Sequence, residues 1–188
     1  MNVRAATPTD LDALLALEAR CFDTDRLSRR NFQWMLRRAN AVLLVAEAGG
    51  TLAGYILVLF HQGTALGRIY SVAVDPAQRG RGIAEQLLAA AEAAAREHDC
   101  AYMRLEVRPD NAAAIRLYGK HGYRRFGVYR QFYEDDTDAL RMEKCIARAP
   151  GNLQQAVPHI AQTLPFTCGP AALLMALHVL RPGLALDD

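Results

Sequence analysis

Between Ser71 and Ala84 the chain reads Ser-Val-Ala-Val-Asp-Pro-Ala-Gln-Arg-Gly-Arg-Gly-Ile-Ala, a β-rich run that passes through a turn holding Gly80 and Gly82 into a long helix. That helix is amphipathic. Ile83, Leu87, Leu88, Ala91 and Ala95 share one stripe, with Glu85, Gln86, Glu92 and Arg96 elsewhere, so the stripe is expected to lie on the sheet that contains the preceding strand. Gly80 and Gly82 let the backbone approach a ligand closely. The first helical turn presents N–H groups that have no partner inside the helix and carry partial positive charge, a cradle suited to pyrophosphate, and Arg79 and Arg81 add full charges. An ordinary structural turn uses the same residues, so the loop alone leaves both readings open. The three spaced glycines of a dinucleotide-binding fingerprint are missing, as are the lysine and Ser/Thr of a P-loop.

Around this unit the periodicity predicts alternating elements. Asn2 to Ala6 reads as a strand, Thr9-Asp10 as the cap of a helix with Leu11, Leu14, Leu15 and Leu17 on one side, and Ser28 to Arg38 as a second helix. Ala41 to Ala46 and Thr51 to Phe60 are β-rich runs joined by Gly49-Gly50, the pattern of a hairpin. Gly67 to Val74 is a third run. Ala101 to Val107 alternates, with Tyr102, Arg104 and Glu106 on one face and Met103, Leu105 and Val107 on the other. Asp110 is the expected cap of a helix that Gly122 stops after His121, and strands are expected at Arg125 to Phe132 and Ala139 to Ile146.

Composition narrows the function classes. With 52% apolar residues and a net charge of +2, the chain can bury a core and does not repel itself into disorder. Its arginine pairs are scattered and balanced by acids such as Glu134, Asp135 and Asp136, so no basic stripe for nucleic acid is expected. The longest apolar run, Tyr55 to Phe60, is far too short to span a membrane, and the N-terminus lacks the pattern of a secretory signal, which points to the cytoplasm. Cys21, Cys100, Cys145 and Cys168 lack zinc-ligand spacing, the five histidines form no cluster, and the reading is free thiols with no metal.

Arg79-x-x-Gly82-x-Ala84 after Val72-Ala-Val-Asp-Pro resembles the acetyl-CoA loop of the GCN5-related N-acetyltransferases (GNAT). The likeness continues through Leu105-Glu-Val-Arg-Pro-Asp-Asn-Ala-Ala-Ala-Ile-Arg-Leu-Tyr118 and Gly122-Tyr123, which is similar to the branch that acetylates protein N-termini, typified by ribosomal-protein alanine acetyltransferases. It covers residues 1 to 147. The resemblance implies a mixed α/β (α+β) fold with a mostly antiparallel sheet, splayed central strands and flanking helices. It implies that Val72, Ala73 and Val74 meet the pantetheine arm, with Val72 and Val74 pairing through their backbone. Arg79, Gly80, Arg81, Gly82, Ile83, Ala84 and Glu85 would hold the pyrophosphate, Glu85 only through its backbone, and Asn111 would bond the cofactor arm.

Acetyl transfer needs a base for the attacking amine and an acid for the leaving thiolate. By the resemblance Glu106 is the base and Tyr118 the acid. From the residues alone, Glu106 also fits a strand carboxylate salt-bridged to Arg104, and Tyr118 fits packing with Ala114 and Ile115. Phe22, Phe132 and Tyr133 are candidates to line the acceptor groove, and Asp135, Asp136 and Asp138 either attract a cationic N-terminus or form a solvated loop. Trp34 and His121 read as packing and helix-end residues. The expected activity is transfer from acetyl-CoA to the α-amine of a protein or peptide in a ternary complex; the alternatives are a small-molecule amine acceptor, the N-terminal part of a bifunctional acetyltransferase and cysteine peptidase that processes leader peptides, and a non-catalytic acyl-CoA-binding module.

After residue 147 the composition changes. Residues 148 to 161 read as a linker, and Gln162-Thr-Leu-Pro-Phe-Thr-Cys168-Gly-Pro, followed by a helix from Gly169 to Leu180, resembles the start of a papain-like cysteine peptidase that removes double-glycine leaders. In that family the glutamine serves the oxyanion hole and the cysteine is the nucleophile. His178 lies ten positions along the same helix, about 15 Å away and too far to act as its base, so residues 162 to 188 are expected to be a truncated or vestigial start of such a domain, from a longer fusion.

Overall fold

The computed structural model describes residues 1–147 apart from 38, 39 and 62. The expected helix from Gly169 to Leu180, and the tail residues Gln162 and Cys168, lie outside the described residues. The alternating runs become seven strands in one sheet: β1 (Asn2–Ala5), β2 (Ala41–Ala48), β3 (Thr51–Phe60), β4 (Leu66–Val74), β5 (Tyr102–Val107), β6 (Arg124–Tyr129) and β7 (Ala139–Cys145), in the order β1-β2-β3-β4-β5-β7-β6. Every pairing is antiparallel except β4 with β5, whose connection carries a helix. The helices are α1 (Leu11–Cys21), α2 (Arg29–Met35), α3 (Ile83–Glu97) and α4 (Ala112–Lys120). Gly49 and Gly50 both adopt the left-handed conformation a tight hairpin between β2 and β3 requires.

The sheet separates two apolar cores. On one face Leu14 and Leu17 of α1 and Phe32 of α2 pack over Val45, Tyr55 and Leu57; on the other, the predicted α3 stripe packs over Ile56, Val58, Met103 and Leu105. β3 is buried on both faces, which explains its nearly unbroken apolar sequence. Glu92, expected on the polar side of α3, is buried instead. The long side chain reaches β7, where Lys144 Nζ donates to both its carboxylate oxygens at 2.7 Å, and Arg96 lies 3.6 Å away. Asp10 sits at the N-cap of α1, yet its carboxylate turns backwards, accepting from Thr7 N at 2.7 Å and from Arg4 at 2.8 Å, and so ties β1 to the helix start. Trp34, read as a packing residue, is half exposed on the outer side of α2.

α3 lies close on β3 because Gly54 has no side chain. A Cβ there would stand 2.9 Å from the Ala73 carbonyl oxygen, 3.1 Å from Leu87 and 3.2 Å from Ile83. Since the Ala73 oxygen is backbone and the other two atoms sit in a packed core, Gly54→Ala is expected to lower unfolding stability by about 1–3 kcal/mol. Urea denaturation of wild type and variant checks this.

The feature that builds the site is a break in the sheet. β4 and β5 pair only from Leu66/Tyr102 to Ile69/Leu105, although β4 continues to Val74 and β5 to Val107. In the β3/β4 register Leu57 faces Ser71 and Val58 faces Ile69, so Tyr70 is an extra residue, a bulge that bends β4 where its pairing with β5 ends. The strands then part.

Candidate active site

The gap between the parted strands is a cleft of about 540 Å³, walled by Ser71, Val72 and Val74 of β4, Glu106 of β5, Asn111 just before α4, Tyr118 of α4, and by loop residues that include Phe22 and Tyr133. Asp75 N donates to Ala53 O at 2.9 Å, so by the alternation of an antiparallel ladder Ala73 bonds toward β3 while the backbone groups of Val72 and Val74 point into the gap. The Val74 carbonyl confirms the direction: it accepts from Arg79 Nε at 3.3 Å and from Cys21 Sγ at 3.4 Å. Ala73, grouped with them as a cofactor residue, is buried in the α1 core and does not reach the cleft. Its place in the ladder turns it away.

Past Val74 the chain turns over Pro76–Gln78, pinned by Asp75, whose carboxylate accepts from Ala77 N at 2.9 Å and from Arg20 Nε at 3.0 Å. Gly80 (φ +76°) and Gly82 (φ +74°) follow, and Gly82 is the N-cap of α3 with no capping side chain. A Cβ on either glycine meets nothing within 4 Å. The glycines are therefore required by backbone conformation, and the space over the loop is open for a ligand rather than filled by protein. The first intrahelical bond is Gln86 N to Gly82 O, which leaves the N–H groups of the first turn facing outward beside exposed Arg79 and Arg81. Gly80 to Glu85 lie beyond the end of the walled cleft, where β4 delivers the chain to α3.

Glu106 is nearly buried, and its Oε2 accepts from Arg68 Nε at 2.7 Å. The partner is not Arg104, which pairs with Glu143 on β7. Arg68 and Arg104 are neighbours in the β4/β5 register, and β7 is the strand that offers Arg104 its own carboxylate. Tyr118 is buried, stacked edge-on to Tyr123 with ring centroids 5.7 Å apart, and lines the cleft together with Ala114. Burial above all, with a smaller contribution from Tyr133, pushes its phenol up to about 12, so it holds its proton at neutral pH. Asn111, not Asp110, caps α4: its Oδ1 accepts from Ala114 N at 3.0 Å, while Asp110 falls one residue too early in the turn. Asn111 also lines the cleft, and its amide nitrogen takes no part in the cap.

Of the three aromatic candidates, Phe22 and Tyr133 reach the cleft. Phe132 does not; it is 40% exposed, stacks on Tyr129 and meets Tyr133 edge-on, because β6 ends at Tyr129 and the expected strand through Phe132 becomes a loop. The loop acids are already engaged. Asp135 accepts from Arg108 at 2.8 Å and Asp138 from Arg130 at 2.7 Å, so two of the three hold the β6–β7 loop rather than await a cation. Arg108 also meets Asp25 at 3.3 Å and sits 4.1 Å from the Tyr133 ring centroid, bridging the α1–α2 and β6–β7 loops on either side of the cleft. The sequence does not mark Arg68, Ser71 or Arg108 as site residues, and it offers Cys21 only as a free thiol. Strand alternation puts Arg68 on a face, but only the pairing of β4 with β5 brings it to Glu106.

Residues 10–123 match the family described as Acetyltransferase (GNAT) family, and residues 157–188 match the Peptidase_C39 like family. An uncharacterized N-acetyltransferase of Methanocaldococcus jannaschii is 35% identical over 81% of this chain and 97% of its own length. The N-alpha-acetyltransferase RimI of Mycobacterium tuberculosis is 33% identical over 77% of this chain and 92% of its own. Among solved structures, the ribosomal-protein-S18-alanine N-acetyltransferase of Escherichia coli superposes with a TM-score of 0.71 at 26% identity, covering 81% of this chain and 97% of that one. With the parted strands, the open glycine loop and these matches together, the chain belongs to the GNAT family of N-acetyltransferases.

Proposed function

We propose that this N-acetyltransferase transfers the acetyl group of acetyl-CoA directly to the N-terminal α-amine of a protein or peptide held in the same cleft. The observation that carries the reading is that one cleft joins an unpaired strand edge, a carboxylate and a protonated phenol. The residues fit the cofactor: two left-handed glycines under open space, a helix N-terminus without a capping side chain and β4 backbone groups without a strand partner follow one another along the chain. On this reading Gly80 to Glu85 hold the pyrophosphate through backbone N–H groups, aided by Arg79 and Arg81, while Val72, Val74 and Asn111 hold the arm. When bound, acetyl-CoA supplies the acetyl group as a thioester. Glu106 takes a proton from the attacking nitrogen, directly or through a water, and Tyr118 gives its proton to the departing sulfur. Arg68 keeps the Glu106 carboxylate pointed.

The choice of an α-amine is supported by relatives described as N-alpha-acetyltransferases and by aromatic Phe22 and Tyr133 at the cleft. Purified protein is to be incubated with acetyl-CoA and peptides that have free or blocked N-termini, with and without lysine, and read by mass spectrometry. Acetylation confined to free N-termini is expected. Acetylation of lysine peptides with blocked N-termini, or of small amines alone, overturns the α-amine assignment. Residues 1–147 are the transferase domain in this proposal, 148–161 a linker and 162–188 the start of a cysteine-peptidase-like domain, which the match at 157–188 supports.

A further inference from the structure

Three carboxylates are buried in the described residues, and two have a cation: Asp10 has Arg4, and Glu92 has Lys144 and Arg96. Glu18, only 2% exposed, has no ion-pair partner among the described residues. A charge so placed is held chiefly by hydrogen bonds, with Arg26 acting on it only from beyond ion-pair distance. Its Oε2 accepts from Leu27 N at 2.7 Å, and its Oε1 accepts from the Tyr55 hydroxyl. Tyr55 is fully buried, and its oxygen lies 2.7 Å from Ser71 Oγ. Ser71 lines the cleft. A chain of hydrogen bonds therefore runs from a core carboxylate to the wall of the active site, beside the bulge where β4 leaves β5.

The chain has a direction. An ionised carboxylate only accepts, so Tyr55 donates to Glu18, the Tyr55 oxygen accepts from Ser71, and the Ser71 oxygen is left as an acceptor at the cleft. An acceptor at that end suits an incoming donor with a proton to lose. α-Amines have pKa values of about 7.7–8.0, so most arrive at neutral pH as ammonium ions that must shed one proton before attack and another during it.

We infer that Ser71, Tyr55 and Glu18 form a relay that takes the first proton from the acceptor's ammonium group, an inference that rests on the amine-acetylating reading above. The ammonium proton passes to Ser71 Oγ, the Ser71 proton to the Tyr55 oxygen, and the Tyr55 proton to Glu18 Oε1. One nitrogen–hydrogen bond breaks, the nitrogen keeps its electron pair, and Glu18 becomes a neutral acid. Ser71 and Tyr55 each give up one proton and receive one. The second nitrogen proton goes to Glu106. After product leaves, Glu18 returns its proton to solvent by the reverse path. Burial pushes the Glu18 carboxyl above its ordinary range, against the pull of the Tyr55 and Leu27 hydrogen bonds and of Arg26, which brings it toward the ammonium it serves. The other groups that face this chain are Cys21 on α1, with Arg20, Arg79 and Asp75 acting on it, while α2 presents apolar Phe32 edge-on to Tyr55 at 5.5 Å.

The test is the pH dependence of kcat/KM for the wild type, Ser71→Ala, Tyr55→Phe and Glu18→Gln, with whichever free amine the wild type acetylates as acceptor. Ser71→Ala cuts only the cleft end and leaves the Tyr55–Glu18 bond in place, so the packing of α1 on the sheet is not disturbed. The relay predicts a loss of roughly tenfold or more near about pH 6.5 in Ser71→Ala, shrinking as the pH rises past the pKa of the free amine. Glu18→Gln is expected to move the acidic limb in the same direction. Equal losses at all pH values in Ser71→Ala, or an unchanged profile, overturn the relay. Failure of the α-amine reading shows separately, as a change in which amine the wild type accepts, and leaves this comparison intact.

Discussion

Replacing Gly82 with valine is expected to weaken acetyl-CoA binding by about 100-fold or more while the domain stays folded. Gly82 sits at φ +74°, where a residue with a Cβ is strained by roughly 1–2 kcal/mol and a β-branched one by more. The chain can escape that strain by rotating the loop, because no protein atom lies within 4 Å of the added Cβ to hold it in place. Rotation turns the first N–H groups of α3 away from the phosphates. Each charge-assisted bond lost is worth about 1.5–3 kcal/mol, and about 1.4 kcal/mol is a factor of ten, so losing two accounts for the predicted effect. Titration calorimetry with acetyl-CoA measures it, and a thermal melt reports the fold. Wild-type affinity in Gly82→Val would place the phosphate site elsewhere.

The second large effect is on turnover. Glu106→Gln is expected to lower kcat by roughly 10²–10³-fold, within the span of about 10²–10⁴ that a positioned base supplies, with little change in acetyl-CoA affinity. Glutamine keeps nearly the same shape and offers its amide oxygen to Arg68, which now makes a 2.7 Å bond to Glu106 Oε2, so the cleft wall should persist. It has no carboxylate to take the proton from nitrogen. A stopped assay for product, run beside the same calorimetric titration, separates the two quantities. Unchanged turnover would show that the Glu106–Arg68 pair is only a structural link between β5 and β4, and the base would have to be sought in the Ser71 chain.

Legibility in the sequence followed the range of the forces involved. β3 at Thr51–Phe60 and α3 from Ile83 appear at the expected positions, because their signals are local: an unbroken apolar run after two glycines, and an apolar stripe that starts at a left-handed N-cap. The turn through Gly80 and Gly82 that leads into α3 was legible for the same reason. Less local features shifted. α4 begins one residue later than expected because Asn111, rather than Asp110, turns its side chain back to Ala114 N; two adjacent capping residues carry the same signal, and backbone geometry chooses between them. Glu92 looked like a solvent residue until β7 placed Lys144 beside it.

The candidate site shows the same division. Glu106 and Tyr118 were reached through a resemblance, but the identity of the Glu106 partner depended on which arginine has a second carboxylate within reach across the sheet, and Glu143 on β7 claims Arg104. Phe132 is separated from the cleft because β6 stops at Tyr129. By itself the sequence determined the kind and order of the elements in residues 1–147, though not all their ends, the turn that precedes α3 and the chemistry present on β5 and α4, since these depend on neighbours within a few residues. Only the tertiary structure decided that β4 parts from β5 after Ile69, that Arg68 holds Glu106, and that Glu18 reaches Ser71 through Tyr55. The reason is physical: hydrogen bonds between residues 16 to 38 positions apart are set by strand register and burial, which the whole sheet fixes at once and no short stretch encodes.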